Sequence, residues 1–317
     1  MMQYLRLIRF KNLLIIALTM CLMRYAIIAP QLKLLNLSFQ FSAFHFILLV
    51  IATMLITAAG YVINDYFDTK TDMLNHPGKV TVGKSISRRL AIIIHFTLNI
   101  LGAALGVYIS FYIGIPVLSF IFLMIPGILW FYSTTYKRQF LIGNIIVAFL
   151  TALVPLMVLL FEVPMLTRTF GAQMLEQQVN LSSLALWIGG YAVFAFILTL
   201  VREIVKDIED FEGDNAFGRK TLPIELGVNN TVLILDAFIL LVIGLLVYLL
   251  IFFVPDILSQ VYVSVFVIFP LAASVYLLHR ASDQKHYHRV SSILKLVMLS
   301  GVMYSLLAWY IFTFRMG

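Results

Sequence analysis

The sequence predicts an all-α, polytopic membrane protein: nine transmembrane helices around a central cavity, arranged as pseudo-twofold halves. Three observations carry that expectation. Of 317 residues, 62% are hydrophobic and 12% charged, with a mean hydropathy of +1.00, whereas about a quarter of residues are charged in soluble domains. The apolar runs are about twenty residues long rather than ten with alternation, which selects helices over barrel strands. A short acidic pattern also occurs twice, each time at the end of an apolar run, which suggests related halves. No stretch reads as a soluble domain, linker or low-complexity tract, so 1–317 is read as one integral-membrane domain.

Inside a bilayer the backbone must satisfy its own polar groups, so each apolar run is read as a helix. The runs lie near 12–31, 42–63, 89–110, 112–132, 140–162, 184–203, 231–253, 258–279 and 293–314. The first follows Arg6, Arg9 and Lys11 as a signal peptide would. Arg24 interrupts it, however, and no small-residue cleavage site follows, so it is kept as a span. Residues 163–183 form the longest outer connection, and the polar part from Thr167 to Gln178 is expected to lie along the surface. Cys21 is the single cysteine and excludes an internal disulfide framework.

Basic residues mark the cytoplasmic ends of spans. With the N-terminus inside, the inner segments hold Arg6, Arg9, Lys11, Lys70, Lys79, Lys84, Arg88, Arg89, Lys137 and Arg138. They also hold Arg202, Lys206, Arg219, Lys220, Arg280, Lys285, Arg289 and Lys295, which makes 18 of the 22 Lys and Arg. An odd number of spans then puts the C-terminus outside, with Arg315. The net charge of +7 is thus explained by loops flanking spans, and no nucleic-acid partner is expected. The expected location is the cell membrane, with the N-terminus and the acidic segments on the cytoplasmic side.

Those acidic segments concentrate the chemistry. Asn64-Asp65-x-x-Asp68-x-x-x-Asp72 ends the second run, and Asp207-x-x-Asp210-x-x-x-Asp214 ends the sixth, 142 positions further on. Residues three and four apart share a helix face, so each triplet forms an acidic stripe. Of 15 acidic residues, nine lie in these two windows: the two triplets with Glu203, Glu209 and Glu212. Like charges so spaced disfavour a bare helix, and a cation should neutralise them. Carboxylates without soft donors suit Mg2+, which keeps waters and shares phosphate oxygens. A basic loop follows each stripe, with Lys79 after the first and Lys220 after the second; these and Lys137, also on the inner side, are candidates for binding a departing diphosphate. With a surrounding bilayer to accept an apolar tail, the combination describes an isoprenoid diphosphate substrate. One stripe alone is accounted for by solvated charges at a helix end; two with identical spacing are not.

These residues resemble the paired signatures of the UbiA superfamily of intramembrane prenyltransferases. The resemblance implies nine helices, a polyprenyl diphosphate donor, Mg2+ held by both motifs, and attack by an acceptor on the ionised allylic carbon. It implies metal roles for Asn64, Asp65, Asp68, Asp72, Asp207, Asp210 and Asp214, with Asp68 and Asp210 central to catalysis. Tyr132-Ser133-Thr134-Thr135-Tyr136-Lys137-Arg138 resembles the family's tyrosine-then-lysine segment, which implies catalytic roles for Tyr132 and Lys137 and diphosphate binding by Lys137 and Arg138. Lys220-Thr221-Leu222-Pro223 is similar to the segment after the second motif. The run Lys137-Arg138-x-x-Leu141-Ile142-Gly143-Asn144 looks like the subgroup that makes digeranylgeranylglyceryl phosphate. His76-Pro77-Gly78-Lys79 departs from the family's frequent arginine-rich loop, which weighs against a quinone precursor as acceptor. The expected acceptor is therefore a glycerol-phosphate lipid and the donor geranylgeranyl diphosphate, with an aromatic acceptor as the alternative.

Other residues keep two readings. Arg24, deep in the first run, either binds the acceptor or snorkels to the outer interface. Asn12 either lines the pocket or caps a helix. Glu203 and Glu209 are candidates for supporting the metal site, while Arg202 and Lys206 are placed to form internal ion pairs. His76, His286 and His288 are read as loop residues. A cation transporter is the rival from another class, but transporters place such acids near the bilayer midplane rather than at span ends.

Overall fold

The computed structural model describes residues 2–75, 78, 80–176 and 178–314. Among them nine helical segments are long and apolar enough to cross a membrane. They are α1 (Phe10–Leu34), α2 (Ala43–Asn75), α3 (Arg88–Tyr112), α4 (Pro116–Thr134), α5 (Ile142–Glu176), α6 (Ser182–Glu209), α7 (Val228–Phe252), α8 (Ile257–Arg280) and α9 (Gln284–Phe314). The protein is thus all-α and multi-pass. The segments coincide with the hydropathic runs, except where polar residues continue a helix. Thus α2 carries on to Asn75 and α9 begins at Gln284. Residues 163–176, expected as part of the outer connection, instead continue α5. The helices form two units, divided within α1 and within α5.

The first unit comprises 1–21, 35–137 and 157–182. Its central pair is α2 and α3, and two glycines of α3 set how closely α2 and α4 lie against it. A Cβ on Gly102 would stand 2.7 Å from Ile56, and one on Gly106 would stand 2.0 Å from the Phe122 ring of α4. Small residues let helix backbones approach where no hydrophobic force separates lipid from protein. His95 of α3 donates through Nδ1 to the Ala59 carbonyl at 2.9 Å, and Asn99 lies 3.2 Å from its other nitrogen. Trp130 of α4 packs edge-on against Phe67 at 5.7 Å and also meets His95 and Phe96. At the opposite end, Glu162 of α5 accepts from the amides of Gln40 and Phe41 at 2.9 and 3.2 Å, ordering the approach to α2. A short helix, Met2–Leu7, buries Leu7 against Val62, Val82, Ile86 and Ala91. This anchor brings the N-terminal segment to the acidic end of α2.

The second unit comprises 22–34, 138–156 and 183–317. One face of α6, with Leu198, Val201, Ile204, Val205 and Ile208, packs into an apolar core. Its partners include Leu235 and Ile239 of α7, Leu271 and Leu278 of α8, and Val290, Leu294 and Val297 of α9. Away from the acidic end, Tyr304 donates to Ser259 at 2.8 Å and Tyr262 to the Ser300 carbonyl at 3.0 Å, tying α8 to α9. Both hydroxyls therefore find partners within the apolar interior, as buried tyrosines require. Residues 22–34 pack on α9 and include a π-helical turn, Met23–Ile28.

Candidate active site

The first acidic set sits on the unbroken helix α2, so Asn64, Asp65, Asp68 and Asp72 share one flank over its last turns. Asp68 is only 3% exposed. The Lys137 ammonium reaches it, and lies 3.2 Å from the Asn64 amide oxygen. Lys137 is thus drawn to the motif rather than left as a solvated loop charge. It follows α4, whose register against α2 is fixed by Trp130 on Phe67 and by Leu129, 3.0 Å from where a Gly60 Cβ would stand. Tyr132 is half-buried in the last turn of α4.

Two residues near the N-terminus complete this set. Arg9 bonds Asp65 at 2.9 Å, and its guanidinium lies 4.8 Å from the centre of the Tyr61 ring. The Arg9 backbone has φ +49°, a left-handed conformation rare for a β-carbon residue, at the turn between the short helix and α1. Asn12 lies inside the first turn of α1 rather than capping it, and donates to the Tyr61 hydroxyl at 3.4 Å. Arg9 was assigned no site role from the sequence, where it reads as an ordinary inside-positive charge.

The second set differs in form. Helix α6 closes at Glu209, Asp210 takes φ −96° and ψ 8°, and a short helix follows, Phe211–Ala216. The expected single helical stripe is therefore jointed at Asp210. The register survives, since the Asp210 amide donates to Lys206 at 2.8 Å and the Asp214 amide to Asp210 at 3.0 Å. Asp207 accepts from the Asn144 amide at 2.7 Å. Asp214, 2% exposed, pairs with the buried Arg219 at 3.0 Å. Of the two adjacent cations, Arg219 is thus the one held at the motif, while Lys220 is exposed and its backbone amide donates to the Arg138 carbonyl at 3.0 Å. Arg138 is exposed too. Asn144 and Arg219 carried no site role in the sequence reading; their signal lay in adjacency to the basic segments.

Other expectations are corrected. Arg24 does not snorkel: it is 2% exposed, in the π-helical turn, with its guanidinium 5.7 Å from the Tyr25 ring centre. Glu209 points away from the stripe and meets His288 at 2.9 Å. His286 and His288 lie on α9 rather than in a loop, because that helix begins at Gln284. His76 and Lys79 lie outside the described residues.

The donors fit a hard cation: carboxylate and amide oxygens, with no thiol or imidazole among the motif residues. Among the described residues no three His, Cys, Asp or Glu converge as a closed metal cage. Magnesium suits such partial sets, because it is bound through one or two carboxylates with waters and phosphate oxygens completing its shell.

Nine spans bearing two such carboxylate sets define the class of intramembrane prenyltransferases. Residues 34–299 match the UbiA prenyltransferase family, and the chain belongs to that family. Two relatives named digeranylgeranylglyceryl phosphate synthase support this. The Methanothermobacter thermautotrophicus protein is 33% identical over 80% of this chain and 82% of its own length. The Methanobrevibacter smithii protein is 34% identical over 84% and 87%. A solved structure concerning digeranylgeranylglyceryl phosphate synthase in membranes shares the fold with a TM-score of 0.62 at 24% identity, covering 96% of this chain and 98% of that one. A UbiA homologue from Archaeoglobus fulgidus, solved with GPP and Mg2+, shares it at 0.53 and 18% identity, covering 96% and 99%.

Proposed function

We propose that this protein transfers a geranylgeranyl group from its allylic diphosphate to geranylgeranylglyceryl phosphate, in a Mg2+-dependent reaction that releases diphosphate. The relatives' shared name supports the acceptor and the Mg2+-bound structure of the Archaeoglobus homologue supports the metal. The observation that carries the reading is Lys137 placed against Asn64 and Asp68, a cation poised where carboxylates would hold a metal-bound anion.

In this reading residues 1–317 work as one catalytic domain, with both motifs and the N-terminus on the cytoplasmic side. Asn64, Asp65, Asp68 and Asp72 from α2, with Asp207, Asp210 and Asp214, hold the metal. Bound Mg2+ neutralises charge growing on the departing diphosphate. Lys137, Arg138, Lys220 and Lys79 bind that diphosphate, Arg9 and Arg219 hold Asp65 and Asp214 in place, and Tyr132 contributes to catalysis. The allylic carbon–oxygen bond breaks with its electron pair leaving on diphosphate, and an acceptor hydroxyl oxygen forms the new ether bond. The hydroxyl proton passes to a carboxylate or to a diphosphate oxygen. Charge stabilisation in a water-poor site is the main source of rate.

The test is purified protein in lipid nanodiscs with labelled geranylgeranyl diphosphate, Mg2+ and a panel of acceptors. The expected product is the doubly prenylated glycerol phosphate with stoichiometric diphosphate. Prenylation of an aromatic acceptor alone would replace the lipid assignment, and metal flux without any product would refute the enzyme.

A further inference from the structure

Three charged side chains lie on α6 before the second motif, and the metal set does not account for them. Arg202 bonds the Glu203 carboxylate through Nη1 at 2.8 Å, and Lys206 bonds it at 3.0 and 3.2 Å. The sequence placed these cations to form internal ion pairs, and the structure pairs both with Glu203. All three sit within an apolar spanning segment and are largely covered, with side-chain exposures of 26%, 15% and 32% for Arg202, Glu203 and Lys206. Ionisable groups so placed are rare, and where they occur they mark substrate sites.

Their face of the helix is informative. Val201, Ile204, Val205 and Ile208 point into the apolar core of the unit. At 100° per residue, Arg202, Glu203, Lys206, Asp207 and Asp210 fall on the other side. The cations therefore lie off the core-facing side, as the metal carboxylates do, with Lys206 about 40° and Arg202 about 80° around the helix from Asp210, and they lie nearer the middle of α6. The centre of the Arg202–Lys206 pair is about 4–5 Å along the axis from Asp207 and about 9 Å from Asp210, where the helix breaks. In addition, the Arg202 Nε–H is buried without a partner, an unused donor beside a fully employed carboxylate.

We propose that Arg202 and Lys206, aimed by Glu203, bind the phosphate monoester of the lipid acceptor; this rests on the acceptor class given under Proposed function. Glu203 uses one guanidinium nitrogen and two bonds of the ammonium, leaving Arg202 Nε–H and a third ammonium proton to donate. Donors diverging from two side chains at i and i+4 match a tetrahedral phosphate with three oxygens better than a planar carboxylate. The offset from the metal set leaves room for the glycerol unit between the two anions, and so orients the attacking hydroxyl.

The test is steady-state kinetics of Arg202→Gln, Lys206→Gln and Arg202→Lys in nanodiscs, with geranylgeranylglyceryl phosphate and with the same lipid bearing a hydroxyl in place of its phosphate. Each Gln variant should raise KM for the phosphorylated acceptor about 10- to 100-fold. The donor KM, unchanged, reports an intact fold. Arg202→Lys should recover part of the loss. Wild type should discriminate against the phosphate-free lipid, and the variants should lose that preference. An active wild type whose Gln variants keep acceptor KM, or lose both acceptors equally, overturns this assignment alone. A rise confined to a carboxylated aromatic acceptor overturns the phosphate. A wild type inactive with every glycerol-phosphate acceptor overturns both this assignment and the proposed function.

Discussion

The contact between Asn144 and Asp207 gives the sharpest perturbation. Asn144 is 8% exposed and donates to Asp207 at 2.7 Å, so no water replaces it without rearrangement. Replacing Asn144 by Ala removes a hydrogen bond to a charged acceptor, about 1.5–3 kcal/mol, or roughly 10- to 150-fold in an equilibrium constant. That loss falls on the orientation of one metal-binding carboxylate, and removing such supporting partners weakens metal affinity about 10- to 100-fold. The assay is prenyl transfer titrated with Mg2+. The half-saturating concentration should rise by about that factor, with much of the rate returning at saturating metal. An unchanged Mg2+ titration alongside wild-type turnover would show that Asn144 does not support Asp207 in the working enzyme.

Other outcomes follow from the same geometry. Asp68→Ala and Asp210→Ala should each abolish transfer while the protein elutes from size exclusion as wild type does; full activity in either would remove the two-motif argument. EDTA should stop turnover and added Mg2+ restore it, and turnover persisting in chelator would refute a metal-held diphosphate. Arg9→Ala, at a pair whose arginine is 40% exposed, should change stability by less than about 1 kcal/mol. It should nonetheless raise the donor KM, and a wild-type donor KM would limit Arg9 to the surface. Gly106→Leu should destabilise by about 1–3 kcal/mol or more, since even a Cβ there would lie 2.0 Å from Phe122; unaltered thermal stability in detergent would contradict that packing.

Hydropathy located every span because the membrane requirement acts on whole segments, and a run of twenty apolar residues has few other uses. It misjudged where helices stop, because helical hydrogen bonding is indifferent to side-chain polarity. Thus α2 carries Asp68 and Asp72 well beyond its apolar part, and α9 takes up His286 and His288. Spacing found the carboxylates but not their partners. Arg9, Asn144 and Arg219 reach Asp65, Asp207 and Asp214 from 56, 63 and five positions away, and the two distant contacts depend on packing that no local pattern encodes. Arg24 illustrates the converse. Its charge was legible, but its burial in a π-helical turn was not, because nothing in Met23–Ile28 distinguishes that turn from an ordinary one.

The joint at Asp210 makes the two acidic groups unequal under change of chain length. One extra residue between Asp65 and Asp72 would swing all that follows by about 100°, scattering the carboxylates around a rod that offers no place to take up the slack. The same insertion beside Asp210 would fall at a break already there, with Asp207 moored by Asn144 on one side and Asp214 by Arg219 on the other. Spacing should accordingly drift more freely in the second group than in the first among descendants of this sequence.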